Sequence, residues 1–387
     1  MAVPNHCILK LEPAASVAMM ELARGMKAKG IDVISLAGGE PDFDTPPAVV
    51  EACEKAIREG RTHYTTGRGI LPFRERICRK LEEENGIRCT PENILVTPGG
   101  KYAIHIALLS FTNPGDGVMM LDPSWVSYAP LITLAGGVPI RVPLDMGDHY
   151  RITEETLERY AAPETKILIV NTPNNPTGRV LTEEEAKAIA AFAQKRDILI
   201  LADEVYEKII FDGRKHISLG SLPEIADRVI TVNSFSKCAA MTGWRIGYLC
   251  ASREITDTIY LAYQHALTCI SEFSQIAAMT ALDCVEDVER MRASYERRRG
   301  ILIDGLRSIP GIQCLLPEGA FYAWCRMDHA GAEPGKLSDF LLKEAHVVTV
   351  DGKAYGPHVE NCVRMCFAAA ETDLIEAVDR IGAAMGN

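Results

Sequence analysis

The stretch Asn233–Tyr248 reads NSFSKCAAMTGWRIGY and sets Lys237 between Ser234, Ser236 and Arg245. Two hydroxyls and a guanidinium are anion binders, and an anion they hold has no need of a lysine that is merely solvated. An amine is a poor nucleophile until it loses its proton, so a lysine beside an anion site reads as a group held for reaction. The run VITVNS (229–234) leads into it, which places Lys237 just past the end of a strand.

Outward from that strand the same pattern repeats. NILVTP (93–98), GVMMLD (117–122), KILIVNTP (166–173), ILILAD (198–203) and RIGYLCA (245–251) are short, near-continuous apolar runs. Helical patterns separate them at 99–111, 125–136 and 181–197, the last opening with a capping box, Thr182 and Glu185. Strands without a polar face are buried on both sides, as in a parallel sheet under helices. The expected fold is α/β, with a large doubly wound, mostly parallel sheet domain over 45–290. In such sheets ligands bind beyond the carboxyl ends of the strands. A smaller α+β domain is expected from 12–44 and 291–387, where IQCLLP, AFYAWCRM, VVTV and NCVRMCFAAA alternate with helical patterns. The long helical run 272–309, stopped by Pro310-Gly311, is expected to pass between the two domains.

At 387 residues the chain exceeds one ordinary core, which fits two domains. Its net charge of -11 makes nucleic acid and anionic membrane poor partners, so any anionic ligand must be held by a local site. The start, MAVPNHCILK, lacks a basic segment followed by an apolar run, and no stretch approaches the roughly 18 apolar residues of a membrane span. Twelve cysteines with irregular spacing and no CxxC read as reduced, mostly buried thiols in cytosol. No His/Cys cluster has metal-ligand spacing, so no metal is expected.

Four features fall at strand ends. Gly99 and Gly100 open a helix, whose amides suit phosphate. NTPNNPTG (171–178) offers Asn174 or Asn175 from a proline-fixed turn. Asp203 in ADEVY ends a buried strand and needs a cation. The fourth is the Lys237 segment. The missing GxxxxGK[ST] and GxGxxG patterns argue against a P-loop or a dinucleotide fold. Together the four describe a phosphate on a ring whose protonated nitrogen meets a carboxylate and whose aldehyde meets an amine: pyridoxal phosphate.

At this point the sequence resembles the class I aminotransferases, pyridoxal-phosphate enzymes of fold type I. The resemblance runs from about residue 12 to the C-terminal helix and rests on SLAGGEPDFDTP, YTTGRGILPFRE, TPGGK, DPSWVSY, NTPNNPTG, ADEVY, SFSKCAAMTGWRIGY, PEGAFYAW and VRMCFA. The pattern is most similar to bacterial aspartate and aspartate/prephenate aminotransferases. It implies that Lys237 bonds the cofactor's aldehyde, Asp203 meets the ring nitrogen, and Tyr206 and Asn175 donate to the ring oxygen. It implies that Trp125 stacks on the ring, and that Ser234, Ser236, Arg245 and the backbone at Gly99, Gly100 and Lys101 cradle the phosphate. Tyr64 matches a tyrosine that reaches a neighbouring subunit's phosphate, implying a homodimer with shared active sites. Arg364 matches the fork for the substrate α-carboxylate, which two parallel hydrogen bonds suit, and Gly39 an amide contact to the same group. Lys101 and Ser16 occupy the places that contact an acidic side chain. The implied reaction moves an amino group from an aspartate-like L-amino acid to a 2-oxo acid such as 2-oxoglutarate, by a ping-pong cycle in the cytoplasm.

One segment departs from the family pattern. VDGKAYGP (350–357) places Asp351, Lys353 and Tyr355 where relatives usually carry proline, a small residue and phenylalanine. A carboxylate there is expected to repel an acidic side chain, leaving a non-acidic donor open. CISEFSQ (269–275) departs too, and leaves open whether Glu272 reaches the site. Identical cofactor residues would also serve a carbon–sulfur β-lyase.

Overall fold

In the computed structural model, residues 4–329, 331–333 and 335–386 are described. The strands are, in chain order, β1 (Ile34–Ser35), β2 (Ile94–Thr97), β3 (Gly117–Asp122), β4 (Val138–Pro143), β5 (Thr165–Asn171), β6 (Leu199–Asp203), β7 (Val229–Ser234), β8 (Gly247–Cys250), β9 (Ile312–Cys314), β10 (Tyr322–Met327), β11 (Val347–Val348), β12 (Val350–Asp351) and β13 (Cys362–Cys366).

A seven-stranded sheet has the order β2-β8-β7-β6-β5-β3-β4. All its pairs are parallel except those of β8, which runs antiparallel to β2 and β7. Side chains alternate between faces along a strand. On β3, Val118 and Met120 join a core with Ile104 and Ala107 of the helix Gly100–Phe111. Met119 and Leu121 join another with Ile189 and Phe192 of the helix Glu183–Arg196. Helices therefore cover both faces, and the sheet is doubly wound as the apolar runs require. The second of these helices starts at its capping box: Glu185 N donates to Thr182 Oγ1 at 3.2 Å, and Thr182 N to Glu185 Oε2 at 2.9 Å.

A four-stranded antiparallel sheet, β12-β13-β10-β9, forms from the C-terminal part. The run VVTV divides: β11 pairs with β1, while β12 pairs with β13. The early segment is thereby tied to the late one, and Cys366 N donates to Leu36 O at 2.7 Å. One core then joins Tyr206, Ile209 and Phe211 to Tyr295, Phe321 and Phe367.

The long helical run divides, and one expectation, about the cysteines, needs correction. The helical run after residue 272 is two helices, Glu272–Ala281 and Val285–Arg307. Arg76 Nη2 donates to Leu282 O at 3.2 Å and to Asp283 Oδ1 at 2.8 Å, capturing a carbonyl near the end of the first helix. No glycine or proline marks that break, so the sequence hides it. Nor are all the cysteines reduced thiols: Cys314 and Cys325 face each other in the β9–β10 register and form a disulfide, with Cα atoms 4.5 Å apart. Among the free cysteines, Cys250, Cys284, Cys362 and Cys366 are buried and the rest half-buried. Among the described residues no helix is long and apolar enough to cross a membrane.

A buried polar network backs the strand end at Asp203. Ser218 Oγ donates to Glu204 Oε2 at 2.6 Å, and His216 Nε2 lies 2.9 Å from the same oxygen. Asn85 Nδ2 donates to Glu207 Oε2 at 2.6 Å, and buried Lys80 pairs with Glu207. Glu204, Glu207 and His216 could together offer three atoms to a metal ion, but the Lys80 ammonium already sits against Glu207. Burial alone would lower the His216 pKa, yet the charges of Glu204 and Glu207 hold it above its ordinary value. Its folded pKa thus exceeds the unfolded one, about 6.5. The stability it contributes is complete below that pH and is lost as pH rises through the folded pKa. His216→Gln should lower the melting temperature most at acidic pH, with the gap to wild type closing as pH rises. Lys80→Met should cost about 3–5 kcal/mol in urea unfolding, because it leaves Glu207 buried and unpaired.

Candidate active site

β5, β6 and β7 deliver their carboxyl ends to one open cleft of about 380 Å³. Asn171 ends β5, Asp203 ends β6 and Ser234 ends β7. Ser234 then caps the short helix Phe235–Cys238, its Oγ accepting from Ser236 N at 3.2 Å. Lys237 lies on that helix and its Nζ donates to Gly39 O. Burial lowers the Lys237 pKa to about 8; Arg364 and Arg245 push the same way, while Cys366 and Glu40 oppose.

Asp203 is buried. Tyr128 Oη donates to its Oδ2 at 2.6 Å and Val205 N to its Oδ1 at 3.4 Å. Burial raises its pKa to about 6, with the Tyr128 bond and the Val205 amide acting against it. Among the described residues no cation pairs with this carboxyl. The Asn175 loop is fixed beside it: Asn175 N donates to Asn171 Oδ1 at 2.8 Å, and Asn171 Nδ2 to Asp203 O at 2.9 Å. Tyr206 is buried too, its hydroxyl 2.7 Å from that of Tyr322.

The helix Gly100–Phe111 points its N-terminus at the same cleft, with Gly99 as its cap at φ 86°. A Cβ on Gly99 would lie 2.8 Å from Arg245 Nη2, and one on Gly100 3.0 Å from Val205 Cγ1. The positive φ at Gly99 favours glycine there. Arg245 Nη1 donates to Thr242 O at 2.7 Å and Nη2 to Pro98 O at 3.4 Å. Both acceptors are neutral, so the guanidinium charge stays available. With Ser234 and Ser236 alongside, this corner suits an anion. Lys101 follows in the helix with its Nζ 4.9 Å above the Trp125 ring. Burial, and then Arg245, lower its pKa.

Arg364 closes the other side. Its Nη2 donates to Ala37 O at 2.7 Å and Gly38 O at 2.9 Å, and its Nη1 to Asn175 Oδ1 at 3.3 Å, while the buried Nε has no partner. It lies over the rings of Tyr322, at 4.3 Å, and Tyr355, at 5.4 Å. Ser16 lines the wall from the helix Ala15–Ala28.

Of the residues singled out from sequence, Ser16, Gly39, Gly100, Lys101, Trp125 and Asn175 line this cleft, as do Asp203, Tyr206, Ser234, Ser236, Lys237, Arg245 and Arg364. Gly99 sits behind Arg245. Tyr64 is not brought in: it is 85% exposed on this chain. Asp351 does not face the cleft either. Its carboxylate turns to Ser338, accepting from Ser338 N at 3.3 Å and from the Ser338 hydroxyl, so the expected repulsion of an acidic side chain does not arise. Lys353 packs near Gly335, and Glu272 pairs with Arg61 at 3.4 Å. Sequence reading missed Tyr128 and Tyr322. Each belongs to a stretch already singled out, Tyr128 three residues after Trp125 and Tyr322 in PEGAFYAW, but neither carries a signal of which way it points.

A buried carboxyl without a cation, a guanidinium without a carboxylate and an amine of lowered pKa stand around one cavity. They fit a phosphorylated, protonated pyridine carrying an aldehyde, and so define a pyridoxal-phosphate enzyme. The chain belongs to the aminotransferase class I and II family, whose model matches residues 31–381, and it is a pyridoxal-phosphate-dependent aminotransferase. It is 40% identical over 375 residues to aromatic-amino-acid aminotransferase 2 of Thermococcus litoralis, covering 96% of this chain and 95% of that protein. It is 38% identical to the aspartate aminotransferase of Musicola paradisiaca, covering 95% of this chain and 93% of that one. The structure superposes on that of Thermus thermophilus aspartate aminotransferase with maleate at a TM-score of 0.94 and 35% identity, covering 99% of this chain and 100% of the other.

In cofactor-free protein, acetylation of Lys237 followed by mass spectrometry should show a midpoint near pH 8, where an ordinary lysine titrates at about 10.4. Arg364→Gln removes a neighbouring positive charge, so it should move that midpoint upward.

Proposed function

We propose that the chain carries the amino group of an acidic L-amino acid, aspartate or glutamate, to a 2-oxo acid such as 2-oxoglutarate in two half-reactions of a ping-pong cycle. The observation that carries this reading is the convergence of Lys237, Asp203 and Arg364 on one cleft. Arg245, Ser234, Ser236 and the backbone at Gly99, Gly100 and Lys101 would hold the phosphate. Asp203 would meet the ring nitrogen, Asn175 and Tyr206 the ring oxygen, and Trp125 one ring face. When bound, pyridoxal phosphate supplies an aldehyde that captures amines and a ring that takes up electrons released at the substrate α-carbon. Lys237 would bond the aldehyde and, once displaced by substrate, move the α-proton on its Nζ. A pKa of about 8 leaves part of the amine neutral at neutral pH, so it can accept that proton and give it back. Arg364 and the Gly39 amide would grip the α-carboxylate and so fix which bond faces Lys237.

Lys101 and Ser16 would read the acidic side chain. Seven charged side chains line the cleft: Arg24, Lys101, Lys237, Arg245 and Arg364 are basic, Glu40 and Asp203 acidic. That local excess of cations, in a chain of net charge -11, favours dicarboxylate substrates. Maleate, present in the Thermus structure, is also a dicarboxylate. A second reading, an aromatic donor, is favoured by the apolar wall of Met20, Ile104 and Trp125 and by the named activity of the Thermococcus relative. With either donor, Tyr64 would complete the site of a second copy in a homodimer, the enzyme would be cytoplasmic, and the large and small domains would comprise 45–290 and 12–44 with 291–387.

The test is a panel of L-amino acids with 2-oxoglutarate on the purified holoenzyme. Aspartate should give the highest kcat/KM, and a panel led by phenylalanine or tyrosine would establish the second reading instead. Pyruvate and ammonia formed without an acceptor would mark a lyase. Arg364→Lys should raise KM for every donor by at least about tenfold while the yellow colour persists, since one bidentate contact is lost.

A further inference from the structure

Tyr322 lines the cleft, is buried, and touches three groups assigned to the reaction above. Its hydroxyl lies 2.7 Å from the Tyr206 hydroxyl. Its ring lies beneath the Arg364 guanidinium, 4.3 Å from ring centre to Cζ. A Cβ on Gly39 would lie 3.1 Å from the Tyr322 hydroxyl, so that hydroxyl also abuts the Gly39 backbone. The placement is set by the sheet. Tyr322 pairs with Cys366 and Trp324, two residues on along the same face, pairs with Arg364 across the β10–β13 ladder, which sets the ring diagonally beside the arginine.

Two buried phenols in contact share one hydrogen bond, and only one of them can donate it. Burial raises the pKa of both hydroxyls, so both keep their protons. If Tyr206 turns its proton toward an acceptor in the cleft, its oxygen must accept from Tyr322. A phenol that accepts such a bond becomes a stronger donor itself. We propose that Tyr322 is a positioning residue for transamination: its hydroxyl donates to Tyr206, turning the Tyr206 proton into the cleft, while its ring sets the plane of Arg364. This rests on the reading that Tyr206 donates to the cofactor's ring oxygen.

The test is the pH titration of the visible absorption band of the holoenzyme, in wild type, Tyr322→Phe, Tyr206→Phe and the double variant. A donor aimed at the ring oxygen favours the deprotonated chromophore, in which that oxygen carries the charge. Weakening the donor therefore raises the midpoint. Tyr322→Phe keeps the ring and the packing, and should move the midpoint up by about half a pH unit, less than Tyr206→Phe does. In the Tyr206→Phe background, the second substitution should add nothing. An unmoved midpoint in Tyr322→Phe, or an equal further shift in the double variant, would overturn the proposal. A wild-type protein that binds no cofactor and shows no visible band would instead overturn the reading on which it rests. A second readout follows from the ring: Tyr322→Leu should raise KM for amino acids several-fold where Tyr322→Phe leaves it within twofold. Equal KM values for the two variants would remove the ring's part in the proposal.

Discussion

Two buried charges with no ion-pair partner set the terms for the rest of the molecule. Asp203 and Arg364 are each almost fully buried, and neither meets an opposite charge among the described residues. Charges so placed cost several kcal/mol each unless something compensates them. Neutral dipoles do part of that work here: Tyr128 donates to Asp203, and the carbonyls of Ala37 and Gly38 accept from Arg364. What remains is a carboxyl whose pKa is pushed up to about 6 and a guanidinium with an unpartnered Nε. In the proposed reaction the cofactor's protonated ring nitrogen would meet the first and the substrate's α-carboxylate the second.

The fold accounts for why these charges share one cleft. Parallel strands bring successive carboxyl ends to the same edge, so residues far apart in the chain, such as Asn171, Asp203 and Ser234, become neighbours there. Arg364 comes from the other sheet. It is carried into place because β1 pairs with β11, and because the loop at 317–320 seats on the large-sheet side, where Ala320 N donates to Ile209 O at 2.8 Å. Lys237 gains its lowered pKa from this convergence, since burial and both arginines disfavour its charged form.

Much of this was legible in the sequence, for identifiable reasons. Strands buried on both faces leave continuous apolar runs, so the large sheet could be read off directly. A helix that begins on two glycines, and a lysine flanked by serines and an arginine, are local patterns with local causes. What stayed hidden depends on three-dimensional direction. The Cys314–Cys325 pair follows from the register of a hairpin, not from spacing in the chain. From the sequence Asp351 is expected to repel an acidic substrate side chain, yet its own side chain turns to Ser338. Tyr128 and Tyr322 sit in recognisable stretches, but only the packing shows that one supports Asp203 and the other meets Tyr206 and Arg364.

A covalent bond between Lys237 and the cofactor's aldehyde is central to the proposed reaction, and borohydride reduction tests it most directly. Reduction of the holoenzyme, digestion and peptide mass mapping should find one pyridoxyl phosphate fixed per chain, on the peptide holding Lys237, and none in the Lys237→Ala variant. Label on a different lysine, or no label with cofactor in excess, would contradict it.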